Sequence, residues 1–328
     1  MNRLIFASCV SALAITAATA TAQDYPARDI TNVVVWSAGG GTDVSNRVVS
    51  AAMADALGVN INVTNRPGGV AGSQGMNYVH GQDADGYTLV GLSESVVTAG
   101  VQGGWDQRMD VWYPFIIGGS PDLISVNADA PYQTLGELIA AAEANPDTIL
   151  ASASGAGSIH HLNLLALVDG TGAALSFVPY PGSAPAQNAA MTGEVEVVVT
   201  SLAEQQQLLR SGALRPLAML TPEPFELADV GVIPSAFDEY PQLTEYLPIS
   251  QAIGLAVSAD APDDVKSSLS DAFAQAIASD DVQQWAEENY YVLSGAAGDD
   301  AAEEFARLES LFAWTLHDLG AAEVDPST

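Results

Sequence analysis

The sequence predicts an α/β protein with helices on both faces of its strands. Three observations carry this. Short apolar, β-branched runs alternate with helical stretches along most of the chain. The strand runs are apolar throughout rather than alternating, as in strands covered on both faces. A strand runs into glycines and then a helix start twice, at Ser37–Asp43 and at Ser154–Ser158. With 328 residues, 48% of them hydrophobic, the chain can build one large domain or two lobes.

The elements follow in order. Asn32 to Trp36 reads as a strand, and Thr42 or Asp43 as the N-cap of the next helix. Val44, Val48, Ala52 and Ala56 recur every four residues until Gly58 stops the helix. Asn60 to Thr64 is a second strand, followed by the glycine-rich turn "NRPGGVAGSQG" and another helix. "DADGYTLVGLS" is a turn feeding a third strand, and Leu123 to Val126 is another. Thr134 to Ala144 is amphipathic and ends at Asn145-Pro146. Thr148 to Ala153 is a strand, and "SGAGSIHHLNLLALVDG" is loop, helix and stop. Leu175 to Tyr180 is a strand, Pro181-Gly182 a turn, Ala184 to Thr192 a helix, and Val195 to Thr200 a strand. "AIGLAVSADAP" gives a late strand, Asp263 to Ala278 a helix, and the segment 301–320 a C-terminal helix whose apolar stripe includes Phe305, Leu308 and Phe312.

Charge narrows the partners. Nine Lys and Arg stand against 40 Asp and Glu, a formal net charge of -31. A phosphate backbone needs a basic face, so nucleic acid is excluded as a partner, and anionic membrane surfaces are disfavoured. Such acidity suits a surface tuned for solubility.

The first residues read as an export signal. Arg3 gives a positive start, Leu4 to Ala18 an apolar run too short to span a bilayer, and Ala20-Thr21-Ala22 a small-x-small cleavage site. Cleavage after Ala22 removes Cys9, the only cysteine, leaving neither disulfide nor thiolate metal site. It also removes Arg3 and no acid, leaving 40 acids against 8 bases, net -32.

The two glycine junctions are the main chemical signal. Glycines after a strand let backbone approach a ligand, and the free N–H groups at a helix start favour an anion. The alternative is that these glycines only serve turns. Gly40, in the middle of the triple glycine, is read as the point of closest approach, a turn that could require positive φ. Enzyme motifs are missing: no P-loop, no Rossmann fingerprint and no G-x-S-x-G elbow occurs. Adjacent His160 and His161 point to different sides of a helix, and no H-E-x-x-H is present, so a metal site is not predicted. A Ser/His cluster assembled in space, and with it a hydrolase, stays open as an alternative.

The stretches "YPARDITNVVVWSAGGGTDVSNRV", "VTNRPGGVAGSQG", "ADGYTLVGLS", "LGELIAAAEANP", "ASASGAGSIHHL" and "VPYPGSAPAQNAAMTGEVEVVVTSL" together carry a resemblance. The chain resembles the substrate-binding proteins of tripartite tricarboxylate transporters, the TctC or Bug family. The resemblance implies a type II periplasmic binding protein-like fold, two lobes with mixed sheets and a ligand cleft between them. It implies a periplasmic receptor, expected as a monomer, that takes a small carboxylate and hands it to membrane transporter subunits, without cofactor. A sensory receptor of the same fold is the other non-enzymatic reading. Ser37, Gly39, Gly40, Thr42 and Asp43 match the family's first ligand loop, with Ala38 and Gly41 among them. Ser93 and Ser95 match the loop after the third strand. Gly155, Gly157, Ser158 and His161 match the second-lobe loop beside Ser154, and Tyr180, Gly182 and Ser183 the next, with Thr200 beyond them. Trp105, Trp112 and Tyr113 depart from the family pattern and either reshape the pocket wall or pack.

The strand-like "PDLISVNAD" and "AIGLAVSAD" bracket a middle lobe, with crossings expected near residues 118–126 and 250–258. The expected division is a signal peptide at 1–22, one lobe from 23–124 and 254–328, and a second from 125–253.

Overall fold

The computed structural model describes residues 25–245, 247–248 and 251–326, so the export signal expected at 1–22 lies outside the described residues. The first sheet opens with β1 (Ile30–Val34), α1 (Gly41–Leu57), β2 (Ile61–Asn65), α2 (Ser73–His80) and β3 (Thr88–Ser93), followed by β4 (Trp112–Gly119). The chain then crosses through Ser120-Pro121 into β5 (Asp122–Asn127), α3 (Leu135–Ala144), β6 (Ile149–Ser152), α4 (Ile159–Thr171), β7 (Leu175–Val178), α5 (Ser183–Thr192), β8 (Val197–Ser201), α6 (Leu202–Arg210) and β9 (Leu214–Met219). A hairpin, β10 (Phe225–Leu227) and β11 (Gly231–Ile233), precedes the return in β12 (Ile253–Ser258). The chain ends with α7 (Asp263–Ala278), α8 (Asp280–Glu288), β13 (Val292–Leu293) and α9 (Asp299–Asp318).

Two mixed sheets result. The first has the order β13-β4-β12-β3-β1-β2 and the second β7-β6-β8-β5-β9. β1 pairs in parallel with β2 and β3, and β6 with β7 and β8, as the repeated βα units dictate. The strands flanking the crossings run the other way: β12 is antiparallel to β3 and β4, and β5 to β8 and β9.

Local chemistry sets the element ends. Gly58 closes α1 in the left-handed region at φ 72° and donates to Ala54 O. Thr134 caps α3 by accepting the Glu137 N–H, and Ser158 caps α4 by accepting that of His161. The helix over Asp263–Ala278 occupies the residues its pattern predicts. β4, β9, α6, α8 and β13 carried no isolated sequence signal. Trp105 and Trp112 stack at 6.1 Å, with the His80 ring edge-on to both, buried away from the cleft, so these residues pack rather than shape it.

One apolar cluster is continuous from Val34 and Leu92 beside the first sheet to Ala151 and Leu162 beside the second. The two lobes therefore meet over a packed apolar contact. The cleft lies beyond the C-terminal ends of β1, β3 and β6, the usual ligand position in open α/β sheets.

Candidate functional site

The first glycine junction turns sharply after β1. Gly39 takes φ +85°, the left-handed region that glycine tolerates. Gly40 is the N-cap at φ -79°, so the positive φ contemplated for the middle glycine belongs to its neighbour. No local side chain caps α1. Instead the Gly41 N–H donates to Glu204 Oε1 at 2.6 Å, from the first turn of α6 on the other sheet. Glu204 reaches there because its other oxygen is held by its own helix start: Oε2 accepts from Ser201 N at 3.1 Å and Ser201 Oγ at 2.8 Å, a capping box.

The second junction is built in the opposite sense. The Ile159 N–H at the start of α4 donates across the cleft to Ser95 Oγ at 2.9 Å, just after β3. Ser95 Oγ donates in turn to Glu94 Oε1 at 2.8 Å, and Glu94 Oε2 accepts the Ala252 N–H at 2.6 Å. Each helix start that the sequence marked as an anion site thus faces a carboxylate of the opposite lobe, once directly and once through a serine. Further bonds cross between the lobes: Ser37 Oγ donates to Pro181 O at 2.8 Å and Thr98 Oγ1 to Gly157 O at 2.7 Å.

His160 joins these groups. Its Nδ1 lies 2.7 Å from Asp122 Oδ2 and its Nε2 3.4 Å from Glu204 Oε2. Burial alone would lower its pKa, but the nearby Asp122 and Glu204 carboxylates raise it to about 9. The ring is then an imidazolium at neutral pH, hydrogen-bonded to Asp122 at Nδ1 and ion-paired with Glu204 at Nε2. Burial pushes the Glu94 carboxyl above the usual range, against the bonds from Ala252 and Ser95.

His161, the histidine singled out in the sequence, is placed elsewhere. Its ring stacks on Phe177 at 4.0 Å, and its Nδ1 accepts the Gly157 N–H at 3.2 Å. Burial lowers its pKa to about 4, so it is neutral. Among the described residues no hydrogen bond joins a serine hydroxyl to a histidine ring.

These groups surround a small space of about 20 Å³. Gly40, Gly41, Thr42, Ser93, Ser95, Ser154, Ser158 and Ser183 line it, all marked in the sequence. Trp36, Glu94, His160, Glu204 and Gln251 line it as well and were not marked. Trp36 Nε1 donates to Ser93 Oγ at 3.2 Å. A glutamate after a capping serine reads from sequence as a helix start only, which is why Glu204 escaped notice.

The other marked residues stand outside this lining. Ser37 and Gly182 meet at the rim, where a Cβ on Gly182 would come within 3.0 Å of Ser37. A Cβ on Gly155 would meet the Trp36 ring at 3.2 Å, and one on Gly157 would meet Gln102 Oε1 at 2.5 Å, so both glycines permit close approach of the lobes. Asp43 turns away and accepts from Gly39 N, Asn65 Nδ2 and Arg47, bonds that outweigh its burial and lower its pKa. Ala38 and Gly39 belong to the turn itself. Thr200 accepts from Gln187 Nε2, and the Tyr180 hydroxyl donates to Glu194. A larger cavity of about 560 Å³ lies at the crossing strands, lined by Gly119, Ser120, Thr221 and Val292 among others. Neither helix start reaches it, so the smaller space is the candidate site.

Two mixed sheets joined by crossing strands, with a cleft floored by facing helix starts, define a two-lobed solute receptor of the periplasmic binding protein type. The chain belongs to the TctC family, the tripartite tricarboxylate transporter family receptors, whose model matches residues 45–295. Protein BugT of Bordetella pertussis is 33% identical over 213 residues, 62% of this chain and 64% of BugT, so the match spans just under two thirds of that relative. The periplasmic binding protein BugD superposes with a TM-score of 0.84 at 22% identity, covering 91% of this chain and 99% of BugD. An R. palustris protein solved with adipate gives 0.83 at 24%, with 91% and 99% covered. At these identities the structures establish the fold. The family is one of transporter receptors, and BugD is described as a periplasmic binding protein. Among the described residues no helix is long and apolar enough to cross a membrane.

Proposed function

We propose that this chain is a periplasmic receptor that closes on a small carboxylate and delivers it to the membrane subunits of a tripartite tricarboxylate-type transporter. The observation that carries this reading is the Gly41 N–H, which holds a carboxylate, that of Glu204, at 2.6 Å. A helix start that binds a carboxylate from the facing lobe has the chemistry to bind one from solution. Family membership and the adipate-bound neighbour point the same way.

The space of about 20 Å³ is of single-water size, so a ligand fits only when the lobes part. The moving units are the lobe of the first sheet, up to β4 and again from β12, and the lobe of the second sheet, from β5 to β11, so the boundaries expected at 124/125 and 253/254 move to the starts of β5 and β12, where the hinges lie. The ligand contacts come from Gly40, Gly41, Thr42, Ser93, Ser95, Ser154, Ser158 and Ser183. The receptor acts as a monomer after export and cleavage near Ala22.

The test is a thermal melt against a panel of mono- and dicarboxylates, with mass spectrometry of ligand released from gently purified protein. A binder raises the melting temperature, worth about 2.7 kcal/mol at a hundredfold excess over Kd, and is recovered unchanged. A panel without effect, or recovery of a chemically altered ligand, overturns the reading.

A further inference from the structure

We infer that Glu204 determines the specificity of the cleft, and that the ligand is a small carboxylate carrying a cationic nitrogen rather than a dicarboxylate. The inference deepens the proposed function and rests on it. Its ground is the placement of charge around the site. Glu204 reaches over from α6 to the Gly41 N–H, so the start of α1 already holds one carboxylate. Glu94, fully buried, faces the same space from the first lobe. Asp122 stands behind them on His160.

Positive charge is scarce there. No arginine or lysine lines the space. His160 is the one cationic group among the lining residues, and it already lies between Asp122 and Glu204. Arg47 is held by Asp43 and Asn65 outside the site. A monocarboxylate finds donors in the serine hydroxyls and the helix starts. The second carboxylate of a diacid would lie against Glu204 or Glu94 with nothing to neutralise it. An ammonium in that place is instead attracted to both glutamates, and its size matches the water-sized space beside them. The net charge of -31 adds to the bias against dianions at longer range.

The experiment pairs each dicarboxylate with the ω-amino acid in which an ammonium replaces one carboxylate. The pairs are succinate and β-alanine, glutarate and 4-aminobutyrate, and adipate and 5-aminopentanoate, run beside the common α-amino acids. Melting shifts and calorimetric Kd values are compared for wild type and Glu204→Gln. Glutamine also serves at this capping-box position, so the variant keeps its helix start on Ser201 through the amide oxygen while it loses the charge and, with its NH2 facing α1, the acceptor for the Gly41 N–H. Wild type is expected to bind the nitrogen-bearing acids at least about tenfold more tightly than the diacids, a modest share of what a like charge at close range costs. Glu204→Gln is expected to narrow or reverse that preference. A wild type that binds a diacid as tightly as its amino partner overturns the inference, as does a variant with unchanged preference. If no acid of either kind moves the melt, the proposed function fails first. A response to diacids alone leaves that reading standing and removes this one.

Discussion

Glu204 Oε1 and the Gly41 amide nitrogen, 163 residues apart in the chain, lie 2.6 Å apart across the cleft. A hydrogen bond to a charged group contributes about 1.5–3 kcal/mol net, so this contact alone can hold the lobes together against modest opening. It makes Gly41, rather than Gly40, the sterically decisive glycine. A Cβ on Gly41 would meet the Tyr291 hydroxyl at 2.9 Å and Glu204 Oε1 at 3.0 Å, whereas one on Gly40 finds nothing nearer than 3.7 Å.

Gly41→Ala is therefore expected to lower the melting temperature and weaken the ligand shift, at a cost of about 1–3 kcal/mol for overpacking. Tyr291 cannot simply swing aside, since its buried ring stacks on Trp285 at 4.8 Å. Gly40→Ala should stay within about 0.5 kcal/mol of wild type and keep the ligand shift. Equal behaviour of the two variants in thermal melts would refute the assignment of close approach to Gly41.

The two histidines predict a stability maximum near neutral pH. His160 has its folded pKa raised from 6.5 to about 9, so its contribution is complete below pH 6.5 and is lost as pH rises toward 9. His161 has its folded pKa lowered to about 4, so its contribution is complete above pH 6.5 and is lost as pH falls toward 4. Melts across pH 4–10 should show both flanks, and His160→Gln should flatten the basic one. A His160 ring that titrates near 6.5 by NMR would contradict this account.

Glu94 tests the buried network behind the cleft. Glu94→Ala leaves the Ala252 N–H without its acceptor in a buried position, expected to cost about 1–3 kcal/mol. Glu94→Gln keeps an amide oxygen for that bond and should cost less. Urea melts of both variants decide; a Gln variant as damaged as the Ala variant would show that the charge itself is required.

Trp36 supplies an optical reporter. It is the one tryptophan of the five that lines the candidate site. Opening and ligand entry change its surroundings, so ligand should alter the intrinsic fluorescence of wild type. Trp36→Phe should remove most of that change while leaving binding measurable by calorimetry. A full fluorescence response in the variant would place the motion elsewhere.

Local signals in the sequence determined much of this protein. The β-branched run before Gly39 and the short apolar run before Gly155, the stop at Gly58, the cap at Thr134 and the helix from Asp263 to Ala278 follow from steric and capping rules acting over a few residues. Those rules also marked the two glycine junctions, whereas Ser93, Ser95 and Ser183 of the lining were marked by the family resemblance. Tertiary structure decided what faces them. Nothing local distinguishes His160 from His161, yet one lies between two carboxylates and its neighbour stacks on Phe177, because successive helix positions diverge by about 100°. Nothing local links Glu204 to Gly41, or Glu94 to Ala252 158 residues away, since those contacts exist only once two sheets close on each other. The directions of β5 and β12 were decided the same way, by a chain that must leave one sheet for the other and return. Backbone conformation is set over a few residues, whereas the charge of a cleft is the sum of side chains that only folding brings within a few ångströms.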